Sequence, residues 1–70
     1  MITDQDIENW VEYHAPTDEQ RMKYVSIRGA AKMTAKIILE NTPASADQTA
    51  AIRKLREAVM TANAAIACGE

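Results

Sequence analysis

Between Thr17 and Asn41 the residues Tyr24, Ile27, Ala31, Thr34 and Ile38 recur at alternating gaps of three and four. That is the spacing of a helix packed lengthwise along another helix. After Ser45 a second series, Ile52, Leu55, Val59, Ala62 and Ile66, repeats the same alternation. Ala51, Ala58 and Ala65 flank it and permit close backbone approach. Two matched seams joined by a few residues fold back on one another as an antiparallel hairpin, and this expectation governs the rest of the chain.

The ends of these helices are written in local chemistry. Thr17 with Gln20 forms a capping box, and Asp18 and Glu19 place carboxylates at the positive end of the helix dipole. A helix from there of about 24 residues is roughly 36 Å long at 1.5 Å per residue. It stops at Asn41-Thr42 because Pro43 cannot extend it. Pro43-Ala44 makes a tight connection, Ser45 with Gln48 reads as another capping box, and Gly69 is placed to end the last helix. Upstream, Thr3 with Asp6 caps a short helix over Asp4 to about Glu12, carrying Ile7, Trp10 and Val11 at helical spacing. Tyr13, His14 and Ala15 then run into Pro16, which forces a turn. A helix this short does not hold in isolation. Trp10 either fastens it onto the hairpin or stacks on a ligand base. The fold class is therefore all-α, one domain over residues 1–70, with a short helix and turn at 1–16, a long helix at 17–42 and a closing helix at 45–67.

Seventy residues give a marginal core unless a disulfide, a metal or self-association supplements it. Cys68 is the only cysteine, which excludes an internal disulfide and fits a reducing compartment. His14 is the only histidine, so no zinc site is expected. Self-association remains. Met22, Val25, Gly29, Met33 and Ile37 form a second apolar surface on the long helix, and Met60 and Ala64 extend the problem to the closing one. One antiparallel neighbour cannot cover all of them, so the chain is expected to be a homo-oligomer.

A net charge of −2 argues against DNA or RNA polymers as partners. No apolar run is long enough to span a bilayer, and Met1 to Asp6 lack the character of a signal peptide, so a soluble cytoplasmic protein is expected. Within this acidic chain, Arg21, Arg28, Lys32 and Lys36 share one sector of the long helix, offset only by Glu40. Such a stripe calls for a small anion. Parts for catalysis are missing: no nucleophile accompanies His14, and no glycine-rich phosphate loop or metal-ligand motif is present. The stronger constellation joins Tyr13 and His14 to Arg28 and Lys32. If the short helix folds back or docks on a neighbouring subunit, a ring that stacks on bases meets two cations that pair with phosphate. The competing reading leaves Arg28 and Lys32 as solvated surface charges and Tyr13 as an anchor for the turn. Arg53 with Glu57 reads as a surface pair at helical spacing.

The order YHAP, then KYVSIRGAAKMTAKIILENTP, then KLREAVMTANAAIA resembles the small phage anti-CBASS sponge proteins, whose helical-hairpin domain is shared with the phage anti-Thoeris sponges. The similarity runs from Trp10 to Ala67, and its most specific part is the closing alanine-rich helix. The resemblance implies a non-enzymatic oligomer, typically a hexamer, that sequesters the cyclic nucleotides used as an immune alarm by an infected bacterial host, acts in that host's cytoplasm and needs no cofactor. It implies pockets between subunits, one type for cyclic dinucleotides and another, in some members, for cyclic trinucleotides. Carried over, Tyr13 stacks on the base, Arg28 meets phosphate or base where relatives have lysine, and Lys32 assists one turn on, with His14 alongside. Arg53 and Asn63 are the candidates for the second pocket, where Thr61 departs from the tryptophan many relatives carry. The alternative from the residues alone is a hairpin that oligomerises or docks on another helical protein without a small-molecule ligand.

Overall fold

In the computed structural model, the structure describes residues 1–69. Three helices follow one another, α1 (Asp4–Val11), α2 (Asp18–Asn41) and α3 (Ala46–Ala67), with no strand among the described residues. The first two start on reciprocal caps. Thr3 Oγ1 accepts from Asp6 N at 3.2 Å while Asp6 Oδ2 accepts from Thr3 N at 2.9 Å. At α2, Gln20 N donates to Thr17 Oγ1 at 3.1 Å and Thr17 N donates to Gln20 Oε1 at 3.0 Å.

The third cap is only half of the expected box. Ser45 Oγ accepts from Gln48 N at 3.1 Å, but the Gln48 amide turns away and donates to Thr42 O at 3.0 Å and Thr42 Oγ1 at 3.1 Å. Thr42 is the residue that terminates α2, and its hydroxyl in turn donates to Ile38 O at 2.7 Å. Gln48 thereby spans the connection and ties the start of α3 to the end of α2. The opposite, open end of the hairpin has its own tie, since Gln20 Nε2 donates to Ile66 O at 3.1 Å. One glutamine at each end fixes the register between the helices. Gly69, at φ +75, closes α3 in the left-handed region, where a side chain would be strained.

Tyr24, Ile27, Ala31 and Ile38 of α2 are half-buried against Ile52, Leu55, Val59, Ala62 and Ile66 of α3, the two seams read from the sequence. Thr34 is exposed but still faces α3, lining a shallow groove with Ile27, Ala31, Leu55, Val59 and Ala62, while Ala35 beside it is half-buried. No described residue is fully buried. The chain is two rods in contact rather than a core with a surface, and none of its helices is long and apolar enough to cross a membrane.

The short α1 lies by the C-terminal end of α3. Trp10 shares a shallow depression with Thr61, Ala64, Ala65 and Cys68, yet the indole stays about half exposed, so it leans on the hairpin without being enclosed.

Candidate functional site

On α2 the residues Arg21, Tyr24, Val25 and Arg28 follow one another at three, one and three positions and so share a face. Antiparallel register sets Asn63, Ala64 and Ala67 of α3 opposite them. Pro16, at the end of the turn after α1, completes an open groove of about 600 Å³. That volume lies within the range of small-molecule sites. Its walls are apolar, with a few polar groups projecting into them.

Those polar groups are in different states. Arg21 Nη1 is paired with Asp18 Oδ1 at 2.8 Å, on the exposed surface. Arg28 has no carboxylate within ion-pair distance among the described residues, where the ion pairs are Arg21–Asp18 and Lys23–Glu19. Asn63 Oδ1 is shut off from solvent and has no hydrogen-bond donor among the described residues. An unmet acceptor of this kind costs roughly 1–3 kcal/mol. The groove thus sets Arg28, which has no ion-pair partner among the described residues, on the same wall system as Asn63, whose side-chain oxygen is buried without a donor among them.

The structure brings together only some of the residues expected at a site. Arg28 and Asn63 share this groove, although the sequence placed them in different pockets. Arg53 lies elsewhere, with Ala46, Thr49, Ala50, Lys54 and Glu57 around a second groove of about 450 Å³. Ten positions along one helix separate Arg53 from Asn63 by about 15 Å, so within one chain they face different grooves. Arg53 and Glu57 both line the second groove but are not at ion-pair distance. Lys32 is exposed one turn beyond Arg28. Tyr13 is 85% exposed and lines neither groove. His14 is half-buried, and its Nε2 lies 2.7 Å from Asn9 O. A single chain therefore does not assemble Tyr13, Arg28 and Lys32 around one guest.

Tyr24 and Pro16 were not anticipated as groove residues. The signal for Tyr24 was present, since it sits four residues before Arg28 and belongs to both the seam and its edge. Pro16 was legible only as a turn. Among the described residues no three of His, Cys, Asp and Glu come together as a metal donor set.

Neither a curated protein nor a solved structure matches the chain. A family model does, that of the Acb2/Tad1 hairpin domain, over residues 3–67. The matched stretch takes in all three helices and the groove. This chain belongs to the Acb2/Tad1 hairpin family of phage sponges for cyclic nucleotides, proteins that bind and do not catalyse.

Proposed function

We propose that this chain assembles with copies of itself, as a hexamer, and sequesters the cyclic oligonucleotide messengers of bacterial anti-phage immunity, of the CBASS type, in the cytoplasm of an infected cell. The observation that carries the reading is the family match over residues 3–67. In this reading the site is completed only between copies. An exposed phenol ring, Tyr13, stacks on a base, while Arg28 offers two parallel N–H donors to a phosphate and Lys32 adds charge one turn on. Tyr13 and Arg28 come from different copies, which is why the isolated chain leaves both open. Cyclic dinucleotides are the first ligand class. Cyclic trinucleotides belong to a second pocket at which Arg53 contributes, while Asn63 lines the Arg28 groove within one chain.

Sequestration works by mass action. Abundant copies with tight sites lower the free messenger below the level its receptor needs, and the messenger leaves chemically unchanged.

The test is a melting-temperature screen against cyclic di- and trinucleotides, followed by heat release and analysis of the recovered ligand. A ligand at a hundred times its Kd stabilises each site by about 2.7 kcal/mol, on the order of 10 °C for a chain of this size. We expect such a shift with intact ligand recovered, and its loss in Tyr13→Ala and in Arg28→Ala without dispersal of the assembly. Linear or cleaved nucleotide in the released fraction would overturn sequestration, and unchanged binding in both variants would overturn the site.

A further inference from the structure

α1 ends without a basic residue in its last turn, so its final carbonyls have no cationic side chain of the helix itself to meet them. Asn9 O is one of these carbonyls. His14 Nε2 lies 2.7 Å from it, and Cys68 Sγ approaches the same oxygen at 3.9 Å. A carbonyl only accepts, so the imidazole carries its proton on Nε2 and donates it here.

The backbone leaves α1 extended, with Glu12 at φ −76 and ψ 144. From there exposure alternates: Tyr13 outward, His14 half-buried, Ala15 outward, Pro16 half-buried, Thr17 outward. Extended chains place neighbouring side chains on opposite sides. Drawing His14 inward and turning Tyr13 outward are therefore one conformational act. Pro16, on the inward side, is a wall of the Arg28–Asn63 groove. The segment is fastened twice, by His14 to the end of α1 and by Pro16 to the hairpin, with Tyr13 held on its outer edge.

We infer that His14 is a positioning residue, which caps α1 and presents the Tyr13 ring, and not a group that touches the guest. The inference rests on the proposed stacking by Tyr13. Without the cap, Glu12 to Pro16 must be ordered when the ligand arrives, and fixing even one backbone residue weakens affinity about tenfold.

The experiment is a double-mutant cycle on the full chain, titrating 3′,3′-cyclic GMP–AMP and cyclic di-AMP into the parent, His14→Ala, Tyr13→Leu and the double variant, with His14→Gln as the rescue. The expected results are about a tenfold loss for His14→Ala, no further loss when it is added to Tyr13→Leu, and recovery of most of the affinity in His14→Gln, whose amide can donate to the same carbonyl. An equal loss for His14→Ala with and without the Tyr13 ring makes His14 a direct contact and overturns the inference while leaving stacking intact. An unchanged affinity in Tyr13→Leu overturns stacking itself and the role of His14 with it. If the Tyr13 variant binds too weakly to titrate, or His14→Ala fails to fold, the imidazole nitrogen shifts of the parent protein decide. They stay in the Nε2–H form on saturation with ligand if His14 only positions, and a tautomer change refutes it.

Discussion

Asn63 is the side chain whose surroundings in one chain do not account for it. Among the described residues its carbonyl oxygen, sealed from water, receives no hydrogen bond, and the arginine that shares its groove has no counter-charge. Replacing such a group with an apolar one of similar size removes the desolvation cost and leaves nothing unpaired. Asn63→Leu is therefore expected to leave urea-unfolding stability, measured at fixed protein concentration, unchanged or higher by about 1 kcal/mol. A loss greater than that would mean that the amide finds a donor in the assembled protein, and Asn63 would then belong to an interface. Arg28 carries the complementary lesson. It was legible in the sequence as a member of a basic stripe, but its neighbour Asn63 lies 35 residues away and meets it only through the register of the hairpin.

At the scale of the elements, the helices were readable because their signals are local. Thr3, Thr17 and Ser45 each cap a helix three residues ahead of a side chain able to reciprocate, and two of those three boxes close. The third does not, because Gln48 has a better partner that sequence spacing could not reveal. Thr42 is six residues upstream and comes within 3.1 Å only once the chain has turned. The tie at the other end makes a sharper test. Gln20 uses its oxygen to complete the α2 cap and its nitrogen to hold Ile66 O. Glu serves equally well in a capping box, so Gln20→Glu would be harmless if Gln20 acted only on its own helix. Here it exchanges a donor for a carboxylate oxygen facing a carbonyl. We expect Gln20→Glu to destabilise the hairpin by about 1–2 kcal/mol, with amide exchange rising first around Ile66. Stability equal to that of the parent would remove the cross-helix role. The pairing of the seams was equally legible, while the position of α1 was not: eight residues with Ile7 and Trp10 about half exposed carry no signal strong enough to choose a docking place.

The molecule as a whole exposes more than a chain of its mass should. A compact 7.7 kDa protein presents about 4,300 Å² to solvent, and this one presents 5875 Å². Its radius of gyration is 15.1 Å, against about 11 Å for a compact chain of this length. Large apolar side chains contribute to it. Met22 is 72% exposed, Met33 65%, Met60 60% and Ile37 52%, spread over both long helices. Charge is divided as unevenly: six carboxylates precede the first lysine or arginine, Arg21, and all the cations lie on the hairpin helices. The proposed site at a subunit boundary depends on copies covering that apolar surface. Met33 and Ile37 lie one turn apart on one face of α2, and both are more than half exposed in the single chain. Exposed substitutions leave a fold within about 0.5 kcal/mol of its starting stability, so Met33→Glu with Ile37→Glu should keep the hairpin helical. If copies pack on this face, the same two carboxylates must be buried without partners, at several kcal/mol each. Sedimentation at micromolar concentration is then expected to give a multiple of 7.7 kDa for the parent and a single 7.7 kDa species for the double variant. Circular dichroism should be little changed, and the cyclic-nucleotide melting shift should disappear together with the assembly. A parent that sediments as one folded chain and still responds to the ligand would place the whole site within a single hairpin, and the shared pocket would have to be given up.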